Sequence, residues 1–188
     1  MSIAISGSPS CRILSVAALT GGDAKAVRVG GVIAIVTEAD LPELLLLMRG
    51  YCDFYEVDPS DDALLAMSRT LIADPELEGT QLIARDDDGN AVGFATIFWT
   101  WSTLTAARLG VMNDLFVAAD ARGGGYADAL IAECAERCRA RGATELAWQT
   151  AYTNDRARAV YERVGARRDE RWLDYSLDVP PGATTPDS

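Results

Sequence analysis

The chain of 188 residues predicts an α/β (α+β) fold, a mixed central sheet of six to seven strands flanked by about four helices. Two observations carry that prediction. Short apolar or β-branched runs alternate with stretches of helical periodicity, and in the second half the order settles into strand, helix, strand, helix. The pivot of that half is a strand, Leu115-Phe116-Val117, that gives way to Arg122-Gly123-Gly124-Gly125-Tyr126-Ala127 and then to a helix. Three successive glycines let the backbone turn tightly and approach a ligand closely. The first amides of the helix that follows have no partner within it. With the positive end of the helix dipole behind them and Arg122 beside them, they suit a phosphate or pyrophosphate. An ordinary strand-to-helix loop has the same outline and stays open at this point. A Walker-type loop is excluded because no Lys-Ser/Thr pair follows the glycines. Asp128 stands where a dinucleotide fingerprint wants its third small residue.

The elements follow in order. Residues 1–31, rich in Ser, Gly and Ala, read as a flexible extension with a short strand near Ile13 to Ala18. Val32 to Val36 is a β-branched strand, and Thr37, Asp40 and Pro42 are start signals for a helix through Leu44 to Met48 that Gly50 is expected to end. Tyr51 to Asp58 then reads as a loop of alternating aromatic and acidic residues. Pro59 and Ser60 open a second helix, with Leu64, Met67 and Leu71 at helical spacing, broken by Asp74-Pro75. Gln81 to Arg85 and Ala91 to Thr100 read as a hairpin around Asp86-Asp87-Asp88-Gly89-Asn90, whose acids are expected to be solvated. Arg108 to Val117 leads into the glycine loop. The helix beyond it carries Ala127, Leu130, Ile131, Cys134 and Cys138 on one face and ends at Gly142. Thr144 to Gln149 is a strand, and Asn154 caps a helix with the stripe Ala157, Val160, Tyr161 and Val164, stopped by Gly165. Ala166 to Arg168 and Trp172 to Leu177 read as closing strands, giving a domain over 32–178 and a disordered tail over 179–188.

Composition bounds the function. At 49% hydrophobic, with both charge signs, the chain suits one soluble domain. No apolar run reaches the roughly 20 residues that span a bilayer. The N-terminus lacks the pattern of a signal peptide, so a cytoplasmic protein without membrane partners is expected. The four cysteines, Cys11, Cys52, Cys134 and Cys138, have no paired CxxC spacing, and the chain has no histidine, so no metal site is expected. Cys134 and Cys138 read as core residues. Without histidine the Ser-His and Cys-His hydrolase arrangements are excluded, and acid–base work falls to Asp, Glu, Tyr, Cys or water. The net charge of -11 argues against nucleic acid. From Glu38 to Asn90 there are 14 acidic residues against 3 basic, so this segment carries the whole net charge. A solvated face is the simplest reading.

A second motif, Asn154-x-x-Ala157-x-x-Val160-Tyr161-x-x-x-Gly165-Ala166, lies about 30 residues beyond the glycine loop. With the order of elements, the two motifs resemble the GNAT superfamily of acetyl-CoA-dependent N-acetyltransferases over roughly Val32 to Leu177. Arg122, Gly125 and Ala127 match its Arg/Gln-x-x-Gly-x-Gly/Ala pyrophosphate loop. Trp148, Thr150 and Asn154 through Gly165 look closest to the branch that acetylates histones, polyamines and small amines.

The resemblance implies acetyl-CoA as cofactor and two splayed strands that admit it. Amides of Gly123, Gly124, Gly125, Tyr126 and Ala127, with Arg122, would hold the pyrophosphate. The strand at Phe116 and Val117 would pair with the pantetheine arm, and Asn154 and Arg163 would contact the cofactor. Tyr161 would be the general acid for the leaving thiolate, where a core tyrosine is the plainer reading. An alkyl amine has a pKa of about 10 and must lose a proton before it attacks a thioester. Asp114 is the candidate base or water anchor, with a structural role in the sheet as its alternative. Three departures from the family stand out: Asn113 where diamine-acetylating relatives carry glutamate, Ala166 where phenylalanine is usual, and the additional Gly124. The acceptor is expected to be a small cationic amine met by Asp53, Tyr55, Glu56, Trp99 and Asp114. An amino-acid, antibiotic or protein acetyltransferase, a non-catalytic acyl-CoA sensor and a homodimer all stay open.

Overall fold

The computed structural model describes residues 31–179. The expected strand near Ile13 to Ala18, nearly all of the N-terminal extension and most of the tail lie outside the described residues. Five strands, β1 (Val32–Ile35), β2 (Gly79–Arg85), β3 (Ala91–Ser102), β4 (Ala107–Val117) and β5 (Glu145–Ala147), form one mixed sheet in that order. The first four are antiparallel, and β5 runs parallel to β4. Four helices flank the sheet: α1 (Leu41–Phe54), α2 (Asp61–Ala73), α3 (Tyr126–Ala140) and α4 (Asp155–Arg163).

The pleat divides the core into two layers. Leu82, Ala84, Ala95, Ile97 and Met112 face α3, where Leu130, Ile131, Cys134 and Cys138 meet them. Ile83 and Phe94 face α1, against Leu41, Leu44, Leu47 and Met48. Cys134 and Cys138 are thus buried, and burial pushes the Cys138 thiol up to about 11. The helix starts follow local chemistry. Ser60 Oγ accepts from the Ala63 amide at 3.2 Å, and Asn154 Oδ1 accepts from the Ala157 amide at 3.1 Å. Arg85 on β2 reaches both Asp40 and Glu43 at 2.7 Å and ties the start of α1 to the sheet.

Four expectations are corrected. Ala166 to Arg168 and Trp172 to Leu177 form no strand, so among the described residues the sheet has five strands rather than six or seven. Alternating composition makes a segment fit for a strand, but only a hydrogen-bonded neighbour makes it one, and Trp172, Tyr175 and Leu177 stand exposed. The strand expected over Thr144 to Gln149 shortens to Glu145–Ala147. Gly50 does not end α1, which continues to Phe54. Its missing side chain answers to packing: a Cβ there would lie 2.8 Å from Cζ of Phe116. Asp86 is not simply solvated, because its carboxylate accepts from the Asp88 and Asn90 amides and holds the hairpin turn.

Candidate active site

The parallel ladder between β4 and β5 stops at Val111 and Ala147, while β4 runs on to Val117. The two strands therefore diverge and leave one side of Leu115–Val117 open. A cavity of about 410 Å³ fills the divergence. Leu115, Phe116 and Val117 form its floor, the glycine loop and the first turn of α3 one side, α4 another, and the last turn of α1 the third.

The glycine loop is built for close approach. Gly123 and Gly125 hold φ of +88° and +85°, a region that side chains disfavour, and Gly125 is the N-cap of α3. The first hydrogen bond into that helix runs from the Ala129 amide to the Gly125 carbonyl, so the amides of Tyr126, Ala127 and Asp128 start the helix without partners inside it. Arg122 Nε donates to the Val117 carbonyl at 3.0 Å and locks the loop onto the end of β4, its guanidinium 6.0 Å from the Phe116 ring centre. Gly124 is turned out of the cavity, and the space of its Cβ is taken by the Tyr126 ring at 2.9 Å.

On α4, the Asn154 cap sets the helix so that Tyr161 enters the cavity half-buried, its ring edge-on to Trp148 with 5.2 Å between centres. Burial raises the Tyr161 hydroxyl above its ordinary value and the Tyr55 hydroxyl across the cavity adds to this, while a hydrogen bond with Thr150 opposes them. The phenol keeps its proton at neutral pH. Arg163 lines the cavity, but Asp128 holds it at 2.7 Å through both Nε and Nη2, which makes it a strut between α3 and α4. Arg156, two residues after the cap, also lines the cavity. Its place inside the second motif is the one signal for it in the sequence.

The acceptor residues named from sequence are only partly brought together. Tyr55 lines the cavity; Asp53, Glu56 and Trp99 do not. Asp53 and Glu56 are exposed at the end of α1. Trp99 belongs to the core beneath α3, where its Nε1 donates to the Pro75 carbonyl at 2.9 Å and Arg141 covers its face. Tyr51 and Phe54 take their place at the cavity wall. Both belong to the aromatic and acidic stretch from Tyr51 to Asp58, and the continuation of α1 past Gly50 brings them to the cavity with Tyr55. Asp114 is buried behind the wall. A bulge in the β3–β4 ladder pairs Thr96 with Asp114 and Ile97 with Met112, leaving Asn113 over and re-aiming Asp114 toward α1. Burial raises its carboxyl above the ordinary range, against the pull of hydrogen bonds from Thr96, Tyr51 and Asn113.

The model of the Acetyltransferase (GNAT) family matches residues 45–166. The chain belongs to the GNAT acetyltransferase family. It is 30% identical over 142 residues to the uncharacterized N-acetyltransferase YhfO of Bacillus subtilis (strain 168), covering 76% of this chain and 93% of that protein. Among solved structures it resembles a probable acetyltransferase, with 25% identity, a TM-score of 0.71 and coverage of 79% and 98% of the two chains. The ribosomal-protein-alanine N-acetyltransferase of Brucella melitensis biovar Abortus 2308 is 27% identical, with a TM-score of 0.63 and coverage of 78% and 99%. The fold is shared with AAC(6')-Iy, solved with the bisubstrate analog CoA-S-monomethyl-acetylneamine, at 22% identity, a TM-score of 0.68 and coverage of 79% and 99%. The protein is therefore an N-acetyltransferase of GNAT type, and this family uses acetyl-CoA.

Proposed function

We propose that this GNAT enzyme transfers the acetyl group of acetyl-CoA to the primary amine of a small cationic acceptor, by direct attack on the thioester. The observation that carries the reading is one cavity that holds both a glycine-built anion cradle and a half-buried tyrosine hydroxyl. The residues fit a polyanionic cofactor: positive-φ glycines, unpaired helix amides, and the cations Arg122 and Arg156 all line the same space. When bound, acetyl-CoA supplies an activated acyl carbon and a thiolate leaving group. The loop from Gly123 to Ala127 would hold its phosphates together with Arg122, Arg156 and Asn154. Tyr161 keeps its proton on Oη as the acid for the departing sulfur.

The acceptor side is aromatic, formed by Tyr51, Phe54, Tyr55 and Phe116. Such faces attract a cation by about 0.5 to 2 kcal/mol each. The net charge of -11, concentrated before Asn90, draws ammonium groups toward the protein from a distance. Asp53 and Glu56, on the surface beside that wall, act as steering charges rather than as contacts. The test is release of free thiol from acetyl-CoA across a panel of amines at several ionic strengths. A polyamine or lysine-like amine should show kcat/KM that falls with salt, and falls further in Asp53→Asn with Glu56→Gln. Equal efficiency toward a neutral hydroxylated amine, without salt dependence, would refute the cationic acceptor. No release with any amine of the panel would refute a small amine as the acceptor.

A further inference from the structure

Helices α1, α2 and α3 each bury residues in the core, whereas α4 buries none. Val160, Tyr161 and Val164 pack on the core only in part. The segment from Trp148 to Asn154 that leads into α4 has neither strand nor helix, and no element follows α4 among the described residues. Apolar contact is non-directional, so this packing by itself sets no fixed seat for the helix. Among the described residues a single side-chain pair bonds α4 to another helix or to the sheet. Arg163 Nε and Nη2 donate to the two carboxylate oxygens of Asp128, each at 2.7 Å. Two parallel bonds fix both a distance and the plane of the guanidinium, which one bond would not.

Neither stability nor cofactor binding accounts for this pair. The Arg163 side chain is 55% exposed, and an ion pair in that setting adds little to stability. An acid in the first turn of α3 suits the helix dipole, but that needs no partner on α4. Asp128 also lines the cavity beside the glycine loop, where its charge opposes that of a phosphate, and it withdraws the Arg163 cation from the same space. What the pair does join is the two halves of the site. Asp128 is the third residue of the helix that begins in the glycine loop, and Arg163 stands two residues after Tyr161.

From this arrangement we infer that Asp128 and Arg163 are positioning residues: their bidentate bond fixes the Tyr161 hydroxyl relative to the glycine loop, while the Asp128 carboxylate weakens the hold of that loop on its anion. The inference rests on the acetyl-transfer reading above, in which Tyr161 protonates the leaving thiolate. A coenzyme held by its phosphates presents its sulfur at a place set by the loop, so the acid must be set from that loop as well. Asp128 and Arg163 act through Tyr161 and touch no reacting atom.

The test separates placement from affinity. Asp128→Asn and Arg163→Gln both break the bond. With both substrates saturating and chemistry rate-limiting, each should lower kcat roughly 10- to 100-fold, the range for a misplaced reacting group. In a Tyr161→Phe background neither should lower it further, because the group they place is gone. Calorimetry with acetyl-CoA should show opposite signs: several-fold tighter binding in Asp128→Asn, which frees Arg163 for the phosphates, and several-fold weaker binding in Arg163→Gln, which leaves the carboxylate uncovered. Without any coenzyme, amide hydrogen exchange should quicken across α4 in both variants while the buried middle of α3 keeps its protection. Unchanged kcat in both folded variants, or a full further loss in the Tyr161→Phe background, would overturn the placement while leaving acetyl transfer intact. Weaker acetyl-CoA binding in both variants would overturn the role given to the Asp128 charge. A wild type inactive with every amine would instead refute the small-amine acceptor, and exchange across α4 would then decide: quickened it upholds the bond as what seats α4, unmoved it overturns it.

Discussion

The wall of the cavity made by α3 and α4 and the wall made by α1 end their helices with the same hydrogen bonds but not with the same residue. After α3, the Ala143 amide reaches back to the Cys138 carbonyl and the Gly142 amide to Arg139. After α4, Ala166 reaches Tyr161 and Gly165 reaches Glu162. Both glycines take the positive φ that this cap requires, +69° and +81°. After α1 the same pair of bonds runs from Val57 to Cys52 and from Glu56 to Asp53, and Glu56 takes φ of +56° where glycine would be strain-free. Meanwhile the glycine of α1 sits mid-helix, at Gly50, where it weakens the helix and makes room for the Phe116 ring. In the first wall, local rules and site geometry agree. In the second they conflict, as happens where a site constrains the sequence.

That contrast can be broken, beginning with the largest effect. Gly125→Val puts a β-branched residue at φ of +85° and adds bulk at the start of α3 beside the cavity. Calorimetry should show acetyl-CoA binding lost, and undiminished affinity in a folded variant would remove the loop from the site. Tyr161→Phe deletes a single hydroxyl with little change in volume. With chemistry rate-limiting, kcat should fall roughly 10- to 1000-fold while Tm is nearly kept; an unchanged rate would make Tyr161 a core residue.

On the α1 side the effects should be smaller and should fall on the acceptor. Gly50→Ala gains helix propensity of about 1 kcal/mol but pushes on Phe116. Steady-state kinetics should show acceptor KM rising several-fold with acetyl-CoA affinity held; an equal loss for both substrates would mean that the two walls are not independent. Glu56→Gly relieves a strained turn and should stabilise the protein by about 1 kcal/mol in urea unfolding. Its kcat/KM at high salt should be nearly unchanged, and a destabilised variant would show that the Glu56 side chain holds the turn.

The glycine loop, the Asn154 and Ser60 caps, the stops at Gly142 and Gly165, the Asp86 hairpin and the position of Tyr161 were all readable from the chain. Each depends on residues within a few positions of one another, and their spacing is printed in the sequence. The GNAT family could be reached from two such motifs. The α1 wall could not, because its logic is long-range. Gly50 answers to Phe116, Trp99 to Pro75 and Arg141, and Asp114 to a bulge against β3 that sequence periodicity does not announce. The segment from Trp172 to Leu177 has the alternation of a strand and forms none, since a strand's backbone bonds belong half to its neighbour. Sequence by itself determined most of the elements, their caps and the tight glycine turn before α3, because the forces there act between adjacent residues. Only the tertiary structure decided which tyrosines meet the cavity and which carboxylate lies behind them, because those contacts exist only after α1 has packed on the sheet.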